Sequence, residues 1–265
     1  MKLAFMSSVF PKKTLAELLA TGEAAGYEGL EFRPEWKHAH GIELEATGDQ
    51  RSDAAKRLAD SPLEGCCLSP GTKFCKEAPG ERDAELEKLH RYVDLAAEVG
   101  VPRIRVFADP LPNGGARARA NSYEVQAEYL LRGAERARSA GVRLVLETHS
   151  NFRAFDTGEV LYRAGYPAGL WVNWHLGHCL RHGEGVDEAY RHVKGRVAHC
   201  HFSLPEESEK WAPVERQLEL LRDDGFDEFF SVEVIDPDDG NAVLQHHAAA
   251  WEKLKDRLGF QTCKE

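Results

Sequence analysis

Short apolar runs alternate along the whole chain with longer segments in which apolar residues recur every three or four positions. Short apolar runs of this kind are typical of strands buried on both faces of a parallel sheet, and the periodic segments are typical of the amphipathic helices that cover such a sheet. The pattern predicts eight strands, at residues 3–8, 27–33, 63–68, 103–107, 142–147, 170–174, 197–202 and 229–235.

The segments between these runs carry helix start and stop residues. Thr14 followed by Glu17 has the spacing of a capping box, and Gly26 ends the helix that Thr14 begins. Gly100 and Gly141 follow two further periodic segments, as glycine often does at a helix C-terminus. Further helices are predicted at residues 51–60, 83–99, 122–139, within 155–163, and at 186–193, 211–223 and 242–258.

About eight strand–helix units follow one another without a break in composition. This number in a chain of 265 residues predicts an α/β protein made of a single (β/α)8 TIM barrel that occupies residues 1–265. A doubly wound open sheet is disfavoured, because the turn after the first strand contains no glycine for a nucleotide phosphate.

Composition and charge narrow the possible partners. Hydrophobic residues make up 42% of the chain and charged residues 29%, as in soluble globular proteins. The net charge of −10, without a basic block, disfavours a nucleic-acid partner. No apolar run has the length of a membrane span, and the first residues lack the layout of a secretion signal, so a cytoplasmic protein without membrane contact is expected. The six cysteines show no regular spacing, which predicts reduced thiols and no zinc–cysteine site.

Polar side chains stand at the C-terminal ends of several predicted strands. Because side chains alternate across a strand, those facing into the barrel are expected to be Glu31, Arg33, Glu147, His149, Asn173, His175, His199, His201, Ser231 and Glu233. Packing alone would fill these layers with valine, isoleucine and leucine. The pattern therefore predicts a ligand site at this end of the barrel.

Two of these residues, Glu147 and Glu233, are carboxylates expected at one desolvated place. Two such carboxylates repel each other unless a cation lies between them or the pKa of one of them rises, so that it takes up a proton. One divalent metal ion would meet this need. Together with two imidazoles, the carboxylates favour Mn, Co, Fe or Zn over Mg.

Four segments carry a resemblance to a known family: LVLETH, HLGH, RVAHCHFS and SVEV, with GYEGLEFR as a weaker fifth. On these the chain resembles the xylose isomerase-like TIM barrel superfamily, which includes tagatose epimerases, hydroxypyruvate isomerases, inosose dehydratases and endonuclease IV. The resemblance implies that Glu147, His175, His201 and Glu233 hold one metal ion. It also implies that His178 contacts a substrate oxygen and that Glu31 faces the substrate.

The activity implied by the resemblance is isomerisation or epimerisation of a sugar or sugar acid, by metal-assisted proton transfer next to a carbonyl. Glu147 and Glu233 would be the catalytic acid–base pair. Trp36, His38 and His40, on the loop after the second predicted strand, are expected to line the sugar pocket with Arg33, which would suit a phosphate or carboxylate. Relatives are often homo-oligomers, so a homo-oligomer and a monomer both stay open here.

The sequence departs from the family pattern at two positions. His175 stands where the family has an aspartate, and Leu204 where an aspartate often follows the motif of the seventh strand. The first change removes a negative charge from the ligand set and favours softer ions or an empty site. Three alternatives stay open: a non-catalytic or metal-free sugar-binding barrel, a related lyase or dehydratase, and an endonuclease IV-like DNA repair enzyme. The net charge disfavours the last of these.

Overall fold

Residues 1–259, described by a computed structural model, form a closed barrel of eight parallel strands that pair in chain order. This confirms the predicted (β/α)8 fold. The strands are β1 (Lys2–Met6), β2 (Gly29–Phe32), β3 (Glu64–Leu68), β4 (Arg103–Val106), β5 (Arg143–Glu147), β6 (Leu170–Asn173), β7 (Val197–Phe202) and β8 (Phe229–Val232).

Helices surround the barrel and connect its strands. They are α1 (Leu15–Ala24), α2 (Gly48–Ala59), α3 (Pro79–Val99), α4 (Gly115–Ser139), α5 (Ala154–Arg163), α6 (Leu176–Arg181), α7 (Val186–Val193), α8 (Ala212–Asp223) and α9 (Gly240–Arg257). Single 3-10 turns follow β1, at Ser7–Val9, and precede α8, at Ser208–Lys210. No helix within residues 1–259 has both the length and the apolar character that crossing a membrane requires.

Several predicted helix ends are found where the sequence indicated them. The capping box of α1 forms, with the Thr14 side chain accepting from the backbone N–H of Glu17 and the Glu17 side chain accepting from that of Thr14. Gly100 ends α3 in the left-handed conformation, at φ 77°. These local contacts satisfy backbone groups that a helix terminus would leave unpaired.

Three helix predictions were wrong in extent or existence. Helix α3 begins at Pro79 rather than residue 83, since proline suits a first helical turn. Helix α4 begins at Gly115 rather than residue 122, because alanine and arginine in residues 116–120 are good helix formers. Helix α6, a six-residue helix that includes Gly177, was not predicted.

The outer faces of the strands pack under the helices. Leu144, Leu146, Val172, Trp174 and Cys200 belong to the main apolar core. A second, smaller cluster consists of Ala4, Cys66, Cys67, Val145, Ala198 and Phe229, and it fills the barrel interior below the polar residues. Ala198 was expected to face outward; it joins the inner cluster where the pairing of β6 with β7 shifts by one residue.

The cysteines of the described residues are free thiols. Cys66, Cys67, Cys179 and Cys200 are buried and Cys75 is partly buried, which agrees with the predicted packing role. Cys263 lies outside the described residues.

Candidate metal centre

Four residues from four different strand ends converge at the C-terminal mouth of the barrel. Glu147 ends β5, His175 follows β6, His201 lies on β7 and Glu233 follows β8. One nitrogen or oxygen atom from each lies within 4.8 Å of the others. The sequence predicted these four as metal ligands, and the structure brings them together.

The distances between these atoms describe most of a tetrahedron. The Nδ1 of His175 lies 3.3 Å from Glu147 Oε1 and 3.4 Å from Glu233 Oε2. The Nδ1 of His201 lies 3.1 Å and 3.4 Å from the same two oxygens. A tetrahedral ion bound at about 2.0–2.1 Å holds its ligand atoms about 3.3 Å apart. The spacing and the two-nitrogen, two-oxygen donor set therefore fit a divalent ion such as zinc.

The carboxylate of Glu147 is fully buried and fully engaged. Its Oε1 faces both imidazoles, and its Oε2 accepts a hydrogen bond from Nη1 of Arg105 at 3.1 Å. Burial alone would raise the pKa of Glu147, but the charges of His201 and Arg105 outweigh it and hold that pKa well below its ordinary value. Glu147 is thus kept as a carboxylate, the form that binds a cation.

The imidazole of His201 is held between acids on both of its nitrogens. Its Nε2 lies 2.8 Å from Glu31 Oε1, while its Nδ1 faces Glu147 and Glu233. Burial lowers the pKa of His201, but the three carboxylates together raise it well above its ordinary value. A carboxylate behind a ligating histidine fixes the orientation of the ring and makes it a stronger donor.

Glu31 lies behind His201 rather than at the mouth. It is fully buried, and its oxygens bond His201, His199 at 2.9 Å and the hydroxyl of Ser69. Burial would raise the pKa of Glu31, whereas the charges of His201 and His199 lower it well below its ordinary value. The structure therefore places Glu31 behind the candidate ligand His201, although the resemblance implied that Glu31 faces the substrate.

A second group of possible ligand atoms, from Glu31, Cys67 and His199, lies deeper in the barrel. Burial and the charge of Glu31 raise the pKa of Cys67 to about 12, so the thiol keeps its proton. Burial lowers the pKa of His199, and its Nε2 is already hydrogen-bonded to Glu31. The thiol of Cys67 and the ring of His199 therefore form a supporting layer around the carboxylate of Glu31, beneath the centre.

His178 lies beside the centre on α6. Its Nδ1 accepts hydrogen bonds from the backbone N–H of Ser150 at 3.0 Å and from Arg181 at 2.8 Å, which assigns the proton to Nε2. Burial lowers the pKa of His178 to about 3, so the ring is neutral. Its ring centroid lies 4.2 Å from that of His175. The Nε2–H is available to a substrate oxygen.

His149 and Asp109 form a pair next to His178. The Nδ1 of His149 lies 2.8 Å from Asp109 Oδ1, and the His149 ring lies 4.5 Å from the ring of His178. Burial lowers the pKa of His149, but the hydrogen bond to Asp109 outweighs it and raises that pKa above its ordinary value. The sequence reading gave His149 no catalytic role and did not use Asp109.

Arg33 and Trp36 lie together after β2. The guanidinium carbon of Arg33 is 3.9 Å from the centre of the Trp36 ring, which is itself exposed. The buried hydroxyl of Ser7 accepts from the backbone N–H of Arg33 at 3.0 Å and lies 3.2 Å from Nδ1 of His38. Burial and the charge of Arg33 lower the pKa of His38, so this ring is neutral and accepts the hydroxyl proton.

His40 supports the loop and does not open to the centre. Its Nδ1 accepts from the backbone N–H of Ile42 at 3.0 Å, and its Nε2 donates to the carbonyl of Arg33 at 3.3 Å. Burial lowers the pKa of His40 to about 4. Of the expected pocket residues on this loop, the structure places Arg33, Trp36 and His38 together, and His40 behind them.

Arg105 is the residue that the sequence reading missed. Besides Glu147 it binds the carbonyl of Ser69 at 3.0 Å, and its guanidinium lies 3.5 Å from the centre of the Phe107 ring. The signal was present in the fourth strand, RIRV, where arginine alternates with apolar residues. Applying the alternation rule there would have placed two arginines inside the barrel.

Leu204, at a position where the family often has aspartate, is buried. Its backbone N–H donates to Nε2 of His247 at 3.0 Å, and its carbonyl lies 3.1 Å from Nε2 of His246. His247 is buried, and burial lowers the pKa of its ring to about 4, so its neutral Nε2 can accept the hydrogen bond that holds this loop. Leu204 therefore takes part in fixing the loop after β7 through its backbone.

The family comparison agrees with this fold. A family model described as the xylose isomerase-like TIM barrel matches residues 19–254, and the chain belongs to this family. A search of curated protein sequences finds no match.

Solved structures with the same fold include enzymes of several kinds. An L-ribulose 3-epimerase is 20% identical with a TM-score of 0.77, and the match covers 100% of this chain and 99% of that one. The probable 3-DHS dehydratase AsbF from Bacillus anthracis is 18% identical with a TM-score of 0.73, covering 95% and 99%. The IolI protein, solved with a bound zinc atom, is 15% identical with a TM-score of 0.76, covering 99% and 100%.

Proposed function

We propose that this protein is a metal-dependent isomerase or epimerase that moves a proton at a carbon next to the carbonyl of a sugar or sugar acid. The observation that carries the proposal is the near-tetrahedral set of ligand atoms at the barrel mouth, with Glu147 and Glu233 as its two acids. Family membership and the epimerase among the structural relatives support it.

The ion would be held by Glu147, His175, His201 and Glu233, and when bound it supplies polarisation of a substrate carbonyl oxygen. Two imidazoles in the donor set favour zinc, cobalt, iron or manganese over magnesium. Glu31 keeps Nδ1 of His201 aimed at the ligand position by holding Nε2 on the other side of the ring.

The two acids differ in how far a substrate can reach them. Glu147 is fully buried with hydrogen bonds on both oxygens, whereas the Glu233 side chain is 18% exposed. The Oε1 of Glu233 has no hydrogen-bond partner within residues 1–259. Glu233 is therefore the candidate to remove the substrate proton, and Glu147 is the second acid–base group of the pair. The Nε2–H of His178 would hold a substrate oxygen.

A related dehydratase is a second candidate, favoured by one observation. Asp109 holds the ring of His149 and raises its pKa, which provides a protonated imidazole near the centre. Such a group can give a proton to a departing hydroxyl. Loss of water from a hydroxy-ketone after proton removal would use this pair, whereas epimerisation would not.

The experiment begins with the metal content of the purified protein, followed by NMR of hydrogen exchange with D₂O in a panel of ketoses and keto acids. We expect one divalent ion per chain and exchange at the carbon next to the carbonyl. Glu233→Gln or Glu147→Gln should lower the exchange rate by about 10²–10⁴-fold while the circular dichroism spectrum stays unchanged.

Glu228→Gln is the matched control, since Glu228 is a carboxylate at the opposite end of the barrel and should leave exchange unaffected. The proposal fails if the protein gains no stability from added Zn²⁺, Co²⁺ or Mn²⁺, or if both glutamine variants exchange at the wild-type rate. Release of water without hydrogen return, lost in His149→Gln, would select the dehydratase.

A further inference from the structure

Arg33 differs from the other buried arginines around the barrel because it has no acidic partner within residues 1–259. Arg105 pairs with Glu147, and Arg103 and Arg143 both pair with Glu228. The side chain of Arg33 is half-buried, and its guanidinium stacks on the ring of Trp36. A half-buried guanidinium without a counter-ion has N–H donors that an anion can bind.

The surroundings of Arg33 hold it in place beside the metal centre. Its backbone N–H is bound by Ser7 and its carbonyl by His40, so the strand end cannot rotate freely. Burial and the charge of Arg105 lower the pKa of Arg33, while Glu233 and Glu147 raise it, so its head group lies within electrostatic reach of the centre. This fork of donors is preorganised for a planar anion.

The charges of the centre balance without Arg33. Three carboxylates, Glu31, Glu147 and Glu233, are matched by one divalent ion and the guanidinium of Arg105. An aspartate in place of His175 would have added a negative charge able to balance the guanidinium of Arg33. Asp236 lies near enough to influence His38 but makes no ion pair with Arg33 in the described structure. With an ion bound, the guanidinium of Arg33 would therefore have no carboxylate of this cluster left to balance it.

We propose that Arg33, stacked on Trp36, binds an oxyanion at the end of the substrate away from the reacting carbon, so that the protein selects anionic sugars over neutral ones. The inference rests on the proposed function and names its substrate class. A carboxylate and a phosphate both fit the bidentate fork of a guanidinium, while the uncharged alcohol of a simple ketose offers it only a weak partner.

The test is calorimetric binding to the zinc-loaded protein with three ligands that differ at one carbon: fructose, fructuronate and fructose 6-phosphate, repeated in the tagatose series. We expect at least one anion to bind about 10–100-fold more tightly than its neutral parent, as charge-assisted bidentate hydrogen bonds allow. Arg33→Met should remove that advantage and leave the neutral sugar within about twofold. Arg33→Lys, which keeps the charge but loses the fork, should retain part of it.

Arg117→Met is the control for net charge, since Arg117 is an exposed arginine of α4 far along the chain from the site, and it should change nothing. Tighter binding of the uronate identifies a sugar acid, and tighter binding of the phosphate identifies a sugar phosphate. The inference is overturned if anionic and neutral ligands bind equally or not at all, or if Arg33→Met weakens all of them alike.

Hydrogen exchange measured on the same ligands separates this inference from the proposed function. Arg33-dependent binding without exchange would keep the anion site and remove the isomerase proposal. Hydrogen exchange in neutral ketoses that does not depend on Arg33 would keep the isomerase proposal and remove the anion site.

Discussion

The two ends of β4 each carry a buried arginine, and the two arginines have different neighbours. At the N-terminal end, Arg103 and Arg143 share the single carboxylate of Glu228, which is 28% exposed. At the C-terminal end, Arg105 has Glu147, which is fully buried and lies against two imidazoles and a second acid. Residue type alone does not separate a structural ion pair from a reactive centre.

The two ends differ in their ratio of carboxylates to guanidinium groups and in how far these groups are buried. The N-terminal cluster has more guanidinium than carboxylate and reaches water, so it is stable without a further ion. The mouth has more carboxylate than guanidinium and is desolvated, so protons on His201 or a metal ion must supply the missing positive charge. A buried surplus of acid is therefore what makes the mouth a cation site.

The largest expected effect is the loss of stability when either arginine of β4 is replaced. Arg105→Met leaves a buried carboxylate without its guanidinium, and should lower the free energy of unfolding by about 3–5 kcal/mol. Arg103→Met should cost about 1–2 kcal/mol, because Glu228 keeps Arg143 and contact with water. Urea unfolding in the presence of EDTA measures both, and equal losses would contradict the distinction between the two ends.

Acid sensitivity should come in part from the loop after β2, where the neutral imidazole of His40 is buried. Burial lowers the pKa of His40 from 6.5 to about 4, so the unfolded chain binds more protons between these pH values. Stability is then complete above about pH 6.5 and is lost as the pH falls toward 4. For His40 alone the loss should be about 2 kcal/mol between pH 7.5 and pH 5.

His40→Gln should therefore flatten the dependence of the unfolding free energy on pH, measured by urea unfolding across that range. His182→Gln changes an exposed histidine and should leave the slope as it is. An unchanged slope in His40→Gln would show that its ring is not held neutral by the fold.

The identity of the ion should respond to the residue at position 175. His175→Asp restores the charge usual in the family and should raise the affinity for Mn²⁺ relative to Zn²⁺ by about tenfold, because harder ions prefer oxygen donors. Competition titrations with the two ions measure the ratio. His182→Asp adds the same charge at the exposed end of α6 and should leave the ratio unchanged; an equal shift in both variants would mean that general electrostatics, not ligation, sets the preference.

Much of the site followed from strand periodicity because alternation is local. An apolar residue lies one or two positions from each of Glu147, His201 and Glu233, and it shows which side of the strand faces the helices. Arg105 obeyed the same rule but was overlooked. The positions of Glu31 and His40 did not follow, since both depended on which atoms from other strands and loops occupied their hydrogen-bonding groups.

The sequence by itself determined the barrel, because eight apolar runs separated by amphipathic helices bury their surface in few other ways. It also determined which acids and imidazoles end the strands. Only the tertiary structure decided that Glu31 stands behind His201, that Arg105 pairs with Glu147 and that Arg33 meets no acidic side chain among residues 1–259. Each of these contacts joins residues that are far apart in the chain. The charge balance of the buried site depends on all of these contacts together.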